Sequence, residues 1–574
     1  MELSHSLIDA VWRPKFVLEL ERGNLRRWLD PTSHLVGSPP WQLSPMNPKN
    51  RVDSLDIAHS GWRVDGGTIC GTRLFATPIR LLPTLPPLGI SILLPDQTTF
   101  PPALRSTLDA AASVPLRSGP AIANLGIARH ICRALDHQCA TDSRLLQVYR
   151  SLPFGSELVF DAVKQNPAEM ELTVMPNYTL EQSTKTLSAL RGLWPDIPSE
   201  NWPEAVDHAS LRLVRQIHDT VCLVETPKFD GGVIFKSAVG SVDHIYHELR
   251  FLLTVPPHPH VMPRPLGIVT KRSAFGGKRG VVGFLLRFFP AGTLRDILPE
   301  RQRAGTLSNR LKLNWCRQVT EALIHIRETS DTFVSDLRPD NVLLDESESV
   351  ILCDFEQRGN WHEWCAPEVL FRQYAENIRA NLPVSGMDSL QYRQLLAGYT
   401  QQSGVTENRV QAANRPWFLL PIAAQNKATV YSLGLFIYTV FEGLSNVRPN
   451  IANQWPIDPD IEFPMIRHTP PAVMDLVRRC TSCAEDLGQM CAAQSPCARV
   501  VRRGGWLYPE GQTDLERGSV TAARVVLDVV FSWWSNELDK AEKFLQTDEW
   551  RSQQMGLERP SLQEVLQGLD VVSG

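Results

Sequence analysis

Three polar residues in the middle of the chain have types and spacing that could support chemistry. Asp336 and Asn341 lie within ValSerAspLeuArgProAspAsnValLeuLeuAsp (334–345), and Asp354 directly follows the apolar run ValIleLeuCys (350–353). Oxygens of Asp and Asn side chains bind hard cations, and a carboxylate can accept a proton. An Asp followed five residues later by an Asn also occurs as a turn aspartate with an Asn cap. The two apolar runs beside these residues favour a functional site over an isolated turn.

The surrounding segments predict the elements that must position these residues. Three alternating runs at 211–217, 221–225 and 231–236 predict an antiparallel meander. A helical period follows at 243–253, and two further strands are expected at 261–270 and 280–289. After them the chain is predicted to be mostly helical, at 308–328, 427–443, 470–481, 518–548 and 560–572. This order predicts a small sheet with one helix, followed by a larger helical part.

Residues 1–205 have a different pattern, which predicts an α+β extension. Prolines punctuate this region, and the elements expected between them are strands at 72–82, 89–95 and 170–175 and helices near 103–113 and 122–138. The sequence of this region shows no recognisable set of catalytic residues and no internal repeat. Its sequence therefore assigns it no role.

Composition excludes several classes of protein. The 574 residues are 43% hydrophobic and 21% charged, as in ordinary globular proteins, and a net charge of −4 provides no basic field for nucleic acid. Eleven cysteines are too few for a disulfide scaffold in a chain of this length, which favours a reducing compartment. We expect an intracellular protein, cytoplasmic or nuclear, without a signal peptide or transmembrane helix and without a nucleic-acid or membrane partner.

The stretch 334–357, together with AlaProGlu (366–368), resembles the eukaryotic protein kinase family. The resemblance extends over about residues 205–574. Within the family, the chain most resembles fungal kinase-like proteins that carry an Asp-Leu-Arg catalytic loop and an Asp-Phe-Glu motif. The resemblance implies a bilobal fold of the α+β class behind the N-terminal extension. The implied parts are an N-lobe at 206–290 and a C-lobe at 291–574, with insertions near 370–426 and 481–555.

The resemblance implies a Mg·ATP-dependent kinase that transfers the γ-phosphate to a protein hydroxyl. Asp336 would orient the substrate hydroxyl or accept its proton, and Arg338 would neutralise the γ-phosphate. Asn341 and Asp354 match the two metal-binding positions. The basic residue two positions after Asp336 points to a Ser/Thr-type kinase. The implied cofactors are therefore ATP and Mg²⁺.

The same resemblance implies a nucleotide pocket around Lys236, which ends the run ValIlePheLys. Glu248 on the following helix would hold the Lys236 ammonium group against the α- and β-phosphates. The residues expected around the adenine are Ile234, Leu286, Arg287, Phe288 and Leu343.

Four further residues would hold the implied fold together. Leu252 would pack beside Phe355, and Glu368 would form a buried ion pair with Arg559. Removing one partner of such a buried pair costs about 3–5 kcal/mol.

Several positions depart from the family pattern. The turn at 216–221 contains no glycine where the family has a glycine-rich loop, and Asp219 adds a negative charge there. Ile234 replaces a small alanine, and Glu356 replaces the glycine that follows Asp-Phe. Val334 and Ser335 replace the family's His-Arg pair, and Thr429 replaces a bracing aspartate. The loop at 356–365 contains no Ser, Thr or Tyr, so we expect that loop phosphorylation does not switch this protein.

These departures leave two alternatives open. One is a pseudokinase that acts as a partner-binding scaffold, with the two insertions as docking surfaces, although the insertions can also be padding. The other is a small-molecule phosphotransferase. Four cysteines in the second insertion, Cys480, Cys483, Cys491 and Cys497, could bind zinc, but ordinary buried or free cysteines fit their spacing better.

Overall fold

The computed structural model describes the chain with gaps, at residues 61–68, 73–78, 90–94, 104, 127–142, 144–149, 151–217, 220–238, 241–274, 276–330, 332–357, 364–366, 369, 415–418, 420–444, 466–482, 500–503, 506–509 and 559–573. The fold is mixed α+β and divides into two compact units. The first unit contains the described residues of 61–296 and 343–356, and the second unit contains those of 297–342 and 357–573.

The first unit begins with a five-stranded sheet. Its elements in chain order are β1 (Trp62–Thr68), β2 (Arg73–Pro78), β3 (Ile90–Leu93), α1 (Ile127–Thr141), α2 (Arg144–Tyr149), β4 (Glu157–Phe160) and β5 (Leu172–Met175). The strands lie in the order β1 to β5 and are antiparallel, except that β3 and β4 are parallel. A parallel pair needs a long crossover, and helices α1 and α2 lie within that connection.

A six-stranded sheet follows in the same unit. Its elements follow the short helices α3 (Thr179–Ser183) and α4 (Leu187–Leu193), and they are β6 (Ala205–Asp207), β7 (Arg212–Gln216), β8 (Val221–Thr226), β9 (Phe229–Ser237), α5 (Val242–Thr254), β10 (Gly267–Arg272) and β11 (Arg279–Arg287). The strand order is β6-β10-β11-β9-β8-β7. Strands β7, β8 and β9 form the predicted antiparallel meander, whereas β6 pairs with β10 in parallel.

Helix α5 begins where its sequence provides a cap. The Ser241 side chain accepts a hydrogen bond from the Asp243 amide, and Asp243 places a negative charge in the first turn. The helix ends before Val255, which precedes two prolines and is therefore biased toward extended backbone. The predicted helix at 243–253 is confirmed.

Alternation along β9 divides the side chains between the two faces of the sheet. Val233 and Phe235 belong to an apolar core with Val206, Val224 and Leu285. Ile234 and Lys236 project to the opposite face.

Gly283 on β11 allows the close approach of β9. A Cβ atom at this position would lie 2.1 Å from the Lys236 carbonyl oxygen, so no larger residue fits without moving the strand.

The remaining elements are mainly helical. They are α6 (Leu294–Ala304), α7 (Asn309–Thr329), β12 (Val342–Leu344), β13 (Val350–Leu352), α8 (Arg415–Phe418), α9 (Ile422–Glu442), α10 (Pro471–Cys480), β14 (Val500–Arg503), β15 (Trp506–Pro509) and α11 (Leu562–Ser573). In the second unit, α7 packs on α9 and α11, and α10 packs on the same two helices. The α9–α10 contact is close because Gly434 has no side chain, and a Cβ there would lie 2.6 Å from Cys480 Cβ.

Most predicted elements within the described residues are confirmed, with shifted ends. The strand predicted at 261–270 begins only at Gly267, because Pro263 and Pro265 cannot donate to a ladder. The helix predicted at 122–138 is Ile127–Thr141. The helix at 518–548, nearly all of that near 103–113 and most of both predicted insertions lie outside the described residues. No helix in the described part of the chain is both long enough and apolar enough to cross a membrane.

Candidate functional site

Lys236 lies at the centre of a buried group of carboxylates in the first unit. Its Nζ atom lies 2.5 Å from Glu248 Oε2, 2.5 Å from Asp354 Oδ1 and 3.5 Å from Glu356 Oε1. The ammonium group and the Glu248 and Glu356 side chains are almost fully buried, whereas about a third of the Asp354 side chain is exposed. Lys236 and Asp354 are 118 residues apart in the sequence, so only the tertiary fold brings them together.

The pKa values of two members of this cluster, Lys236 and Glu248, are both raised, but for different reasons. Burial by itself would lower the pKa of Lys236, but attraction by Asp354, Glu248 and Glu356 raises it well above its ordinary value. Burial raises the pKa of Glu248 to about 7, against the attraction of Lys236, and repulsion by Asp354 and Glu356 adds to the rise. The lysine is therefore firmly protonated, and the site carries an excess of negative charge.

Two contacts hold Glu248 and the Asp-Phe-Glu segment together. The Phe355 amide donates a hydrogen bond to Glu248 Oε1 over 3.1 Å. The Phe355 ring lies 4.2 Å from the ring of Phe251, centroid to centroid. Leu252, which we expected beside Phe355, is fully buried, and the neighbouring Phe251 provides the aromatic contact. Helix α5 therefore positions both the carboxylate and the aromatic ring.

The backbone at Asp354 adopts a left-handed conformation with φ of +66°. This conformation is uncommon for residues other than glycine, although Asp tolerates it better than most. It turns the chain after β13 so that Asp354 and Glu356 both reach Lys236. The Glu356 carbonyl oxygen accepts a hydrogen bond of 3.3 Å from His244 Nδ1 on α5.

The structure places two of the predicted adenine-pocket residues, Ile234 and Leu286, opposite each other on adjacent strands. Ile234 on β9 pairs with Leu286 on β11, next to the pair formed by Lys236 and Phe284. Arg287 is exposed and Phe288 is half-buried directly after β11. Leu343 is half-buried and bridges Thr293. Ile234 and Leu286 thus lie side by side on the face that carries Lys236.

A second group of polar residues surrounds Asp336 in the second unit. Arg338 Nε lies 3.0 Å from Asp336 Oδ1, and its Nη1 lies 3.8 Å from Asp340 Oδ2. The Asn341 side-chain amide donates to the Asp336 carbonyl oxygen over 2.8 Å and to Asp336 Oδ2 over 3.0 Å. The side chains of Asp336 and Arg338 are 14% and 18% exposed, so both are accessible in part. Arg338 and Asn341 together fix the orientation of the Asp336 carboxylate.

Gln357 connects the segment after Glu356 with the residues that precede Asp336. Its buried side-chain amide donates to the Phe333 carbonyl oxygen over 2.5 Å, and its own backbone has φ of +49°.

Two positions that depart from the family pattern lie in the second unit. Ser335 is buried, and its hydroxyl group has no hydrogen-bond partner among the described residues. Thr429 donates to the Gln425 carbonyl oxygen of its own helix over 3.0 Å.

Arg559 is fully buried, as a structural role requires. Its guanidinium group donates to the carbonyl oxygens of Ser482 and Lys427 over 2.5 and 3.1 Å, and it lies over the Tyr431 ring. Glu368, its predicted partner, lies outside the described residues, so the ion pair stays a prediction.

Asp219, Cys483, Cys491, Cys497 and most of the loop at 356–365 lie outside the described residues. Cys480 is buried at the end of α10, and burial raises the pKa of its thiol to about 12. A zinc ligand must be a thiolate, so this environment favours a packing role for Cys480.

Sequence reasoning missed three contacts that shape these two groups. Glu356 was expected to lie beside the metal position, but its pairing with Lys236 was not foreseen. The Phe251–Phe355 ring contact and the Gln357–Phe333 hydrogen bond were also not foreseen. No local pattern signals any of them, because each joins distant parts of the chain.

Within the described part of the chain, one group of three side chains could bind a metal ion. It consists of Glu248, Asp354 and Glu356, and one oxygen from each lies within 4.8 Å of the other two. Comparison of the sequence with models of known protein families, and with curated proteins, finds no match.

Proposed function

We propose that this protein is a Mg·ATP-dependent phosphotransferase with a bilobal, protein-kinase-like fold, which transfers the γ-phosphate of ATP to a protein hydroxyl. The observation that carries the proposal is the buried Lys236–Glu248–Asp354 group, in which Nζ lies 2.5 Å from both carboxylates. Phosphoryl transfer depends on positioned positive charge and on bound metal ions rather than on covalent chemistry. An ammonium group held between two carboxylates provides such a positioned charge.

The small sheet with one helix supports the same proposal. Lys236 lies on β9 and Glu248 on α5, which directly follows β9, as the resemblance implies. In this assignment Lys236 binds the α- and β-phosphates, and Glu248 orients the lysine. Ile234, Leu286 and Leu343, with the backbone of Arg287 and Phe288, contact the adenine.

The donor set around Asp354 fits a magnesium ion. Mg²⁺ prefers carboxylate and amide oxygens, and the excess of carboxylates over ammonium groups around Lys236 would be offset by a divalent cation. Asp354 is the residue of this group proposed to hold the metal, which would neutralise charge on the phosphates when bound. Asn341 is proposed as a metal ligand from the sequence resemblance alone. Asp354 remains partly exposed, as a ligand to an incoming ion must be.

Asp336 is the proposed residue that orients the substrate hydroxyl and accepts its proton. Its carboxylate is held by Asn341 and by Arg338, so it presents a defined orientation without further rearrangement. Arg338 is the proposed partner of the γ-phosphate. It would exchange part of its contact with Asp336 for the phosphate oxygens.

One observation favours a second candidate, a pseudokinase that serves as a partner-binding scaffold. Glu356 replaces a glycine of the family pattern and lies 3.5 Å from Lys236 Nζ, where it competes with phosphate for the ammonium group. A scaffold would not need to release Lys236 from these carboxylates.

Thermal unfolding with ATP, with and without Mg²⁺, tests the nucleotide site. A ligand present at about 100 times its dissociation constant stabilises a protein by roughly 2.7 kcal/mol, which raises the unfolding midpoint by a few degrees. We expect a Mg²⁺-dependent rise for the wild type and its loss in Lys236→Met and Asp354→Asn. An unchanged midpoint at millimolar ATP would contradict nucleotide binding and favour the scaffold.

Phosphate transfer from labelled ATP tests the reaction itself. Asp336→Asn should abolish transfer and retain the Mg·ATP-dependent thermal shift, because the carboxylate acts on the acceptor hydroxyl. Transfer by Asp336→Asn at the wild-type rate would disprove the assignment of the base. Transfer to metabolites but not to proteins would replace the protein substrate with a small molecule.

A further inference from the structure

A segment of the N-terminal region packs against the helix that carries Glu248. This segment, residues 179–202, contains α3, α4 and a 3-10 turn at Ser199–Asn201, and we call it the clamp segment. It belongs to the first unit together with α5 and the six-stranded sheet. The sequence assigned no role to this region.

The Tyr246 hydroxyl group joins three elements at one point. Its oxygen accepts a hydrogen bond from the Lys185 amide over 2.8 Å and donates one to the Val281 carbonyl oxygen over 2.9 Å. Lys185 belongs to the clamp segment, and Val281 belongs to β11. Tyr246 is buried and precedes Glu248 by two residues on α5.

Aromatic and ionic contacts extend this interface along the helix. The Trp194 ring stacks on Trp202 at a centroid distance of 5.7 Å and meets the Tyr246 ring edge-on at 6.4 Å. Asp196 Oδ2 lies 3.1 Å from Arg250 Nη2, one turn further along α5.

The last turn of α5 is also held. The Asn201 side-chain amide donates to the Leu253 carbonyl oxygen over 3.0 Å. Leu253 lies in the last turn of the helix, where carbonyl groups have no partner within the helix. The clamp segment therefore contacts three successive turns of α5.

The contacted positions lie on one side of the helix. Tyr246, Arg250 and Leu253 are spaced by four and three residues, which places them on a common face. Glu248 follows Tyr246 by two residues, a rotation of about 200° around the helix axis, so its side chain faces the opposite way. Helix α5 is held by the clamp segment on one side while Glu248 contacts Lys236 and Phe355 on the other.

The clamp segment is itself anchored at its start. The buried Glu181 carboxylate accepts hydrogen bonds from the Phe154 amide over 2.8 Å and the Ala274 amide over 2.7 Å, and it forms an ion pair with Lys271. Lys278 Nζ binds the Thr184 carbonyl oxygen over 2.6 Å. These bonds attach the segment to the β10–β11 hairpin, so it provides a fixed support.

We propose that the clamp segment positions helix α5 so that Glu248 pairs with Lys236 without a partner protein or a modification, and that Tyr246 is the central positioning residue. The role of the Lys236–Glu248 pair in nucleotide binding rests on the proposed function, whereas the positioning of Glu248 by the clamp segment does not. Tyr246 acts through Glu248, whose side chain lies on the other side of the helix.

The rate at which an acylating reagent modifies Lys236 depends on its pairing with Glu248, and it can be measured in the absence of nucleotide. An acylating reagent attacks only the neutral amine, so a buried lysine paired with carboxylates reacts slowly. The full chain is treated with N-acetoxysuccinimide, and acetylation of Lys236 is followed by mass spectrometry. We compare wild type, Tyr246→Phe, Glu248→Gln and the double variant. Tyr438→Phe is the matched control, because it removes a hydroxyl group from a buried tyrosine of the second unit.

We expect Tyr246→Phe to raise the acetylation rate of Lys236 by about three- to tenfold, the effect of losing one or two hydrogen bonds. The double variant should react no faster than Glu248→Gln alone, because Tyr246 acts through Glu248. Tyr438→Phe should react like the wild type. An unchanged rate in Tyr246→Phe, or additive effects in the double variant, would overturn the proposal.

Asn201→Ala provides a second, independent variant. It removes the bond to Leu253 at the far end of α5, and it should also raise the Lys236 rate. If Tyr246→Phe does not fold, a wild-type acetylation rate of Lys236 in Asn201→Ala would overturn the proposal. Absence of Mg·ATP binding by the wild type would disprove the proposed function and leave this reactivity test intact.

Discussion

Glu356 Oε1 lies 3.5 Å from Lys236 Nζ, and Glu356 occupies the position at which the protein-kinase pattern has a glycine. The contact makes Glu356 a third carboxylate partner of a lysine that already pairs with Glu248 and Asp354. It raises the pKa of Lys236 and adds negative charge where a triphosphate is proposed to bind. Glu356 is therefore expected to weaken nucleotide binding without preventing it.

Glu356→Gln should strengthen Mg·ATP binding. The change removes one negative charge from the group around Lys236 and preserves the size of the side chain. We expect the dissociation constant to fall by roughly three- to tenfold, which corresponds to about 1 kcal/mol of screened repulsion. Titration calorimetry measures the change. Glu346→Gln, on an exposed turn, is the control and should bind like the wild type, and weaker binding by Glu356→Gln would contradict this role.

Asn341→Asp should disrupt the group around Asp336. The Asn341 amide donates to Asp336 Oδ2 over 3.0 Å, and an aspartate there would place two carboxylates in contact. We expect the free energy of unfolding to fall by about 1–3 kcal/mol and phosphate transfer to be lost. Denaturant titration and a transfer assay check both effects. Full transfer activity in this variant would exclude a positioning role for Asn341.

Gly283→Ala should destabilise the sheet beside Lys236. The new methyl group would lie 2.1 Å from the Lys236 carbonyl oxygen, and a backbone atom within a sheet cannot easily move away. We expect a loss of about 1–3 kcal/mol in the free energy of unfolding, measured by denaturant titration. Gly192→Ala is the matched control, because no described atom outside its own stretch of helix lies within 4 Å of the added methyl group. In helix α4 this control should stabilise by about 0.5–1 kcal/mol. Equal stability of the two variants would contradict the close approach.

His130 should make the protein less stable in mild acid. Burial lowers the pKa of His130 below its ordinary value of 6.5, although its Nε2 atom donates to the Lys164 carbonyl oxygen over 2.8 Å. As the pH falls below about 6.5, His130 binds a proton in the unfolded chain but not yet in the folded chain. The free energy of unfolding therefore falls by up to about 1.4 kcal/mol per pH unit.

His130→Gln should reduce this acid sensitivity. The difference in unfolding free energy between about pH 7.5 and about pH 5.5 should be smaller than in the wild type by about 1 kcal/mol. Chemical unfolding at the two pH values measures it. His137→Gln, at an exposed position of the same helix, should retain the wild-type difference. An identical pH dependence in all three proteins would show that His130 titrates normally.

Local patterns were sufficient to predict most elements that carry the candidate site. The alternating runs of β7, β8 and β9 and the helical period of α5 depend on residues only a few positions apart. Asp336, Asn341 and Asp354 were identified from short motifs for the same reason. The start of β10 was predicted too early because apolar residues around Pro263 and Pro265 mimic a strand that the prolines prevent.

The sequence by itself determined which residues could do chemistry and which elements bear them. Only the tertiary structure decided that Glu356 reaches Lys236, that the Phe251 ring contacts the Phe355 ring, and that the clamp segment contacts α5. These contacts join residues that are far apart in the chain, and the left-handed turn at Asp354 sets one of them. A local pattern records how a residue relates to its neighbours in sequence, whereas contacts of this kind depend on how packed elements meet.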